Sequence, residues 1–246
     1  MKTLKNGSQK LLIISPNLFP QSSPDHSPQP RIDISYYKHV PRLICLLICA
    51  LQSLIEEAWR KGYDVQGSEQ LGGKLVNTRK WIGATEIVAF FTAHRIKTEL
   101  LDFHTPTAKD GTHPKLFQWV LDYFRERARA KAFTPPLYLQ HQGHSRTIVG
   151  IEVLTSSSQG HGAHGSSAEG RNLRLLVFDP SHSKAHMATL SKSSPTSAEA
   201  GQVMRMLRKA PASIKCKQYQ IVTVSGVFAT DKEATMHNVI SSKRVP

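Results

Sequence analysis

Cysteine is scarce in this sequence: Cys45, Cys49 and Cys216 are the 3 in a chain of 246 residues. An odd number at no scaffold spacing argues against a small secreted domain stapled by disulfides. No pair of Cys-x-x-Cys motifs is present, which removes a structural zinc site of that type. Acidic residues are also few, 18 against 32 Lys and Arg. The resulting net charge of +14 favours acidic partners and says little about fold. Long apolar runs are missing too. "LICLLICAL" falls well short of the roughly 20 residues that span a bilayer, and no convincing small-residue cleavage site follows "LLIIS" near the start. These shortages lead us to expect a reducing, intracellular setting without a membrane partner.

What is present reads as one sizeable domain behind an arm. Residues 1–40 include "SPNLFPQSSPDHSPQP", rich in Pro and Ser and without periodicity, and are expected to be a disordered or divergent arm. From Pro41 the pattern becomes helical, with Leu43, Leu47, Ala50, Leu54 and Ala58 on one side and Gly62 past the end. A Gly-rich connector follows. "TRKWIGATEIVAFFTAHR" reads as a second helix, "IKTELLDF" as a strand, and "THPKLFQWVLDYFRERARAK" as the clearest helix, with Thr112 or His113 as cap and Pro114 in its first turn. Further on, "PPLYLQHQ", "RTIVGIEVL", "NLRLLVFDP" and "CKQYQIVTVSG" are strand-like, with a helix around 197–209 before the last. Helices first and strands second predict an α+β domain over 41–246 with a mostly antiparallel sheet. A low-complexity stretch at 155–171 is expected to be a flexible insertion.

The polar run in "LYLQHQGHSRTIVGIE" interrupts two good strand patterns and puts His144 where the second begins. If the strands flanking the 155–171 insertion pair as an antiparallel hairpin, Asp179, closing "LLVFDPS", lies near His144. A carboxylate ending an apolar strand needs a donor, and an imidazole N–H supplies one. Such a pair is the base and orienter of a nucleophilic hydrolase. A solvated turn histidine is the plainer reading, and the residues alone leave both open.

Seven segments in order then carry a resemblance: "SLIEEAWRKGYDVQG", "WIGATEI", "DFH", "GTHPKLFQWVLDYF", "PPLYLQHQGHSRTIVGIE", "LLVFDPS" and "KQYQIVTVSG". Together, from about Gln52 to near the C-terminus, the chain resembles the papain-like cysteine peptidase family that includes the proteases specific for the ubiquitin-fold modifier. The resemblance implies a papain-like fold and a thiol isopeptidase cutting polyubiquitin through Cys, His and Asp. It assigns the base to His144 and the orienter to Asp179. It implies no cofactor, ubiquitin or polyubiquitin as partner, indirect association with DNA-repair proteins, and a place in nucleus and cytoplasm.

The family's nucleophile lies in a "GWGCGYRN"-like segment, for which this sequence has no match. The expectation is therefore a truncated or alternatively spliced form, retaining the fold with weak or no hydrolysis. Cys45, with Arg42 one turn earlier, is the candidate substitute, though Cys45 and Cys49 share an apolar helix face and read more simply as core. Cys216, between Lys215 and Lys217, reads as an exposed or edge thiol. Gln140 and Gln142 are candidate oxyanion donors or ordinary turn residues. His182 is a minor rival to His144. Asp179, His182 and His186 have a ligand-like spacing in what reads as a loop, so no metal is expected. The basic stretches "RERARAK", "RMLRK" and "KCKQ" lack interleaved aromatics, which argues against direct nucleic-acid binding.

Overall fold

The computed structural model describes residues 10–14, 48–130, 133–154, 172–190, 192, 194 and 196–245. The rest of the 1–40 arm, Cys45 and the whole 155–171 insertion lie outside the described residues. In chain order the elements are β1 (Lys10–Ile14), α1 (Ile48–Arg60), α2 (Val65–Gln70), α3 (Ala84–Ala93), β2 (Ile96–Phe103), α4 (Pro114–Arg129), β3 (Leu137–His141) and β4 (His144–Leu154). They continue with β5 (Leu173–Phe178), α5 (Lys184–Leu190), α6 (Ser197–Leu207), β6 (Arg208–Lys209), β7 (Tyr219–Val227), α7 (Asp231–Thr235) and β8 (Ser242–Arg244). The strands form one sheet in the order β6-β5-β4-β3-β7-β2-β8, antiparallel except where β8 runs parallel to β2. The α+β expectation holds.

β4 organises the sheet because it is long. One of its edges pairs with β3 over His144–Ile148 and then with β1 over Gly150–Leu154. Its other edge pairs with β5, with an irregularity between Ile148 and Gly150. Residues 10–14 thus form a sheet strand.

Alternation along the strands divides the core between two faces. Leu101 and Phe103 of β2 and Ile221 of β7 face α4, whose stripe of Leu116, Phe117, Val120, Leu121 and Phe124 is buried against them. Five such side chains each stabilise the fold by about 1.5–3 kcal/mol. Leu100 and Val222 face the other way and meet Ala84 and Val88 of α3, on which α1 packs by setting Ile55 and Trp59 against Phe90.

One helix start and one capping detail differ from the sequence reading. α3 begins later than periodicity suggests, because Glu86 folds back to accept the Gly83 N–H at 2.6 Å and so fixes the first turn there. Trp81, which lies within the stretch read as helix, is left out of it and is 71 % exposed. α4 begins as expected at Pro114 with His113 at the cap position, but neither candidate's side chain bonds the first turn. Thr112 donates to Asp110 at 2.6 Å, and His113 turns its ring inward.

Candidate active site

The site forms at the mouth of the β3–β4 hairpin. Gln142 and Gly143 make the two-residue turn, both with positive φ (41° and 76°), as a tight hairpin of this hand requires. Trp81 lies over Gly143 so closely that an added Cβ would stand 3.0 Å from the indole ring. The turn sets His141 directly opposite His144 on one face of the sheet, with ring centroids 5.4 Å apart. His141 is buried, whereas His144 is exposed and its ring makes no hydrogen bond among the described residues.

Asp179 reaches the same end of the sheet by a different route. β5 pairs Phe178 with Thr147, so one further step sets Asp179 level with Arg146 rather than with His144. The Arg146 Nε donates to Asp179 Oδ2 at 2.6 Å, and the Ser181 hydroxyl and amide donate to Oδ1 at 2.7 and 3.0 Å. Burial alone would raise this carboxyl, but the hydrogen bonds from Ser181 and Arg146 outweigh it and hold it well below the ordinary carboxylate range. His182 stays beside it, its Nδ1 3.4 Å from the Asp179 amide, and the side chain of His186 lies outside the described residues. The Arg146 guanidinium, not an imidazole, thus occupies the Asp179 carboxylate, and His144 stands two residues before Arg146 on the same strand.

Three groups that periodicity did not single out complete the cluster. The Arg146 Nη1 donates to His141 Nε2 at 2.8 Å. His141 Nδ1 lies 3.3 Å from the Cys216 sulfur, which also contacts Gln142 Oε1 at 3.5 Å. Cys216 is half-buried instead of sitting at a free edge. It is anchored by its amide on the Tyr219 hydroxyl (3.0 Å) and by its carbonyl on the His113 Nε2 (2.8 Å). Burial and the adjacent thiol push the Tyr219 hydroxyl up to about 12, so it is a neutral anchor. Burial first, then Arg146 and His144, lower the affinity of His141 for a proton. A sequence signal for Arg146 existed, since a residue two after His144 shares its strand face.

At the sheet edge a shallow groove of about 270 Å³ is lined by Arg146 and Asp179 together with Tyr138, Ser145, Thr147, Phe178 and Pro180. Gln140 borders it in an ordered position: its Oε1 accepts from both the Tyr138 hydroxyl and the Ser145 hydroxyl. The amide N–H groups of Gln140 are thereby the part turned to new partners. Ser145 is committed to this network. Cys49 is exposed near the start of α1.

The chain matches peptidase family C78 over residues 32–222, a span that starts upstream of the Gln52 where the resembling segments begin. It is 40% identical over 204 residues to zinc finger-containing ubiquitin peptidase 1 of Rattus norvegicus, an alignment covering 80% of this chain and 32% of the relative. The Bos taurus protein of that name is 41% identical over 204 residues, with the same shares. Ubiquitin carboxyl-terminal hydrolase mug105 of Schizosaccharomyces pombe is 41% identical over 104 residues, 42% of this chain and 41% of that protein. The crystal structure of UfSP from C. elegans aligns with a TM-score of 0.36 at 18% identity, covering 60% of this chain and 23% of that one. The chain therefore spans about a third of the length of the full curated relatives, 32% of each.

Proposed function

The chain belongs to peptidase family C78, and on that premise we propose that it is a ubiquitin-directed thiol isopeptidase domain acting on polyubiquitin. The observation that carries the reading is the hairpin mouth, where an exposed imidazole and an ionised carboxylate lie on one face at one end of the sheet. In the proposed reaction a cysteine sulfur attacks the isopeptide carbonyl while His144 takes the thiol proton. His144 then returns that proton to the departing lysine amine, leaving a thioester. Water, deprotonated by His144, hydrolyses the thioester and releases the ubiquitin carboxylate and the thiol. Asp179 orients and supports the charged imidazole once Arg146 yields it. A nuclear and cytoplasmic location, with DNA-repair proteins as indirect associates, belongs to the same proposal and rests on the family resemblance alone.

A second reading is favoured by the Arg146–Asp179 pair. With the carboxylate occupied and His144 unpartnered, the domain binds ubiquitin without cleaving it. One experiment separates the two. The protein is incubated with ubiquitin bearing a cysteine-reactive C-terminal group, and adducts are mapped by peptide mass spectrometry. An adduct on Cys45, Cys49 or Cys216 that is lost in His144→Ala supports the peptidase. Ubiquitin bound with no adduct supports the binding domain.

A further inference from the structure

We infer that Arg146 is a positioning residue that selects between the two hairpin histidines, fixing His141 as the neutral ring protonated at Nδ1 and leaving His144 as the ring that exchanges a proton. The inference rests on the thiol-peptidase reading for its meaning, but its geometry stands apart from that reading.

The argument starts from what each group can do. A guanidinium has donors and no acceptor. With Nη1 of Arg146 at 2.8 Å, His141 Nε2 must present its lone pair, so the single proton of the neutral ring is on Nδ1. Nδ1–H then donates to the Cys216 sulfur at 3.3 Å, and the thiol proton turns to Gln142 Oε1 at 3.5 Å. Every hydrogen in the row is then assigned: Arg146 donates to Asp179 on one side and to His141 on the other, His141 donates to Cys216, and Cys216 to Gln142. Protonating His141 would set an imidazolium N–H against an arginine N–H in a buried place, and the row would break. A consequence is that His141 cannot act as base for Cys216, although it is the histidine in contact with that thiol.

The remaining groups around His141 agree. The His144 ring faces it at 5.4 Å from the same strand pair, and the Tyr219 ring of β7 packs at 5.1 Å. Asp179 is the one nearby group that favours a charged His141, and its carboxylate is spent on Arg146 Nε and Ser181. His144 stands outside this row, its ring making no hydrogen bond among the described residues.

The test is long-range 1H–15N correlation of the imidazoles in the 15N-labelled chain between pH 8 and 5, assigned with His141→Gln and His144→Gln. The expected result is one His141 tautomer, bare at Nε2 and protonated at Nδ1, persisting below the pH at which free imidazole charges. In Arg146→Met that signature is lost and the His141 midpoint rises by about one pH unit. Arg146→Lys keeps the charge but lacks the planar pair of donors, and shows mixed tautomers in a folded chain, so the test survives if the Met variant unfolds. A wild-type His141 protonated at Nε2, or a titration unchanged in both Arg146 variants, overturns the inference. A fixed tautomer together with no labelling by the ubiquitin probe keeps the row and removes the peptidase reading instead.

Discussion

β4 carries an arginine–carboxylate pair toward each end, and the two pairs are built for different ends. At the distal end Glu152 is buried and receives both Nε and Nη2 of Arg208, at 2.7 and 2.9 Å. The charge is fully used, and the pair ties the short β6 and the end of α6 to the sheet. At the hairpin end the Arg146 and Asp179 side chains keep 22% and 14% of their surface exposed, and only one guanidinium nitrogen reaches the carboxylate. A second nitrogen reaches a histidine. Closure with two bonds on one partner makes a strut, whereas bonds shared between partners make a junction that a reaction can rearrange.

The comparison breaks first at the strut. Arg208→Met leaves the Glu152 carboxylate buried and unpaired, and is expected to lower stability by about 3–5 kcal/mol in urea unfolding. A loss under about 1 kcal/mol would show that water reaches Glu152 and that the two pairs are alike. Arg146→Met is expected to lower stability less, by roughly 1–3 kcal/mol, because its partners retain solvent and Ser181.

Acid sharpens the contrast. Asp179 and His141 both bind protons more weakly folded than unfolded, so the unfolded chain takes up the extra protons and stability falls as pH falls. The His141 contribution is complete above its ordinary value of 6.5 and declines below it. The Asp179 contribution is complete above 3.8 and declines below that. The melting temperature should therefore drop in two stages between pH 8 and 3, with the upper stage absent in His141→Gln. The smallest effect on folding is expected from His144→Gln. Exposed and without a hydrogen bond to its ring among the described residues, it should change stability by no more than about 0.5 kcal/mol while abolishing adduct formation with the ubiquitin probe.

The sequence disclosed elements more readily than contacts. Periodicity located α4 and the strands at 96–103, 137–141, 144–154, 173–178 and 219–227 because each repeats its own pattern locally. It also put His144 at a strand start and Asp179 at a strand end. It missed the partner of Asp179, because a register offset of a few residues cannot be read from alternation, which is the same in every register of one parity. Cys216 was out of reach for another reason. Its contact with His141 exists because β3 pairs with β7 through Gln140 and Gln220, a meeting of segments far apart in the chain. Trp81 failed differently. It shares a helical spacing with Ile82 and the α3 residues, but Gly83 and Glu86 start the helix after it and release the indole to lie over the hairpin turn.

The length of β4 has a further consequence, in evolutionary terms. The connection from β4 to β5 leaves at Leu154 and returns at Asn172, whose carbonyl takes the Leu154 amide at 2.8 Å. That staple closes the two strands whatever lies between them. An 11-residue strand at about 3.3 Å per residue puts it roughly 33 Å from His144. Descendants of this chain can thus gain, lose or exchange sequence between 154 and 172 while the hairpin mouth inherits its geometry unchanged.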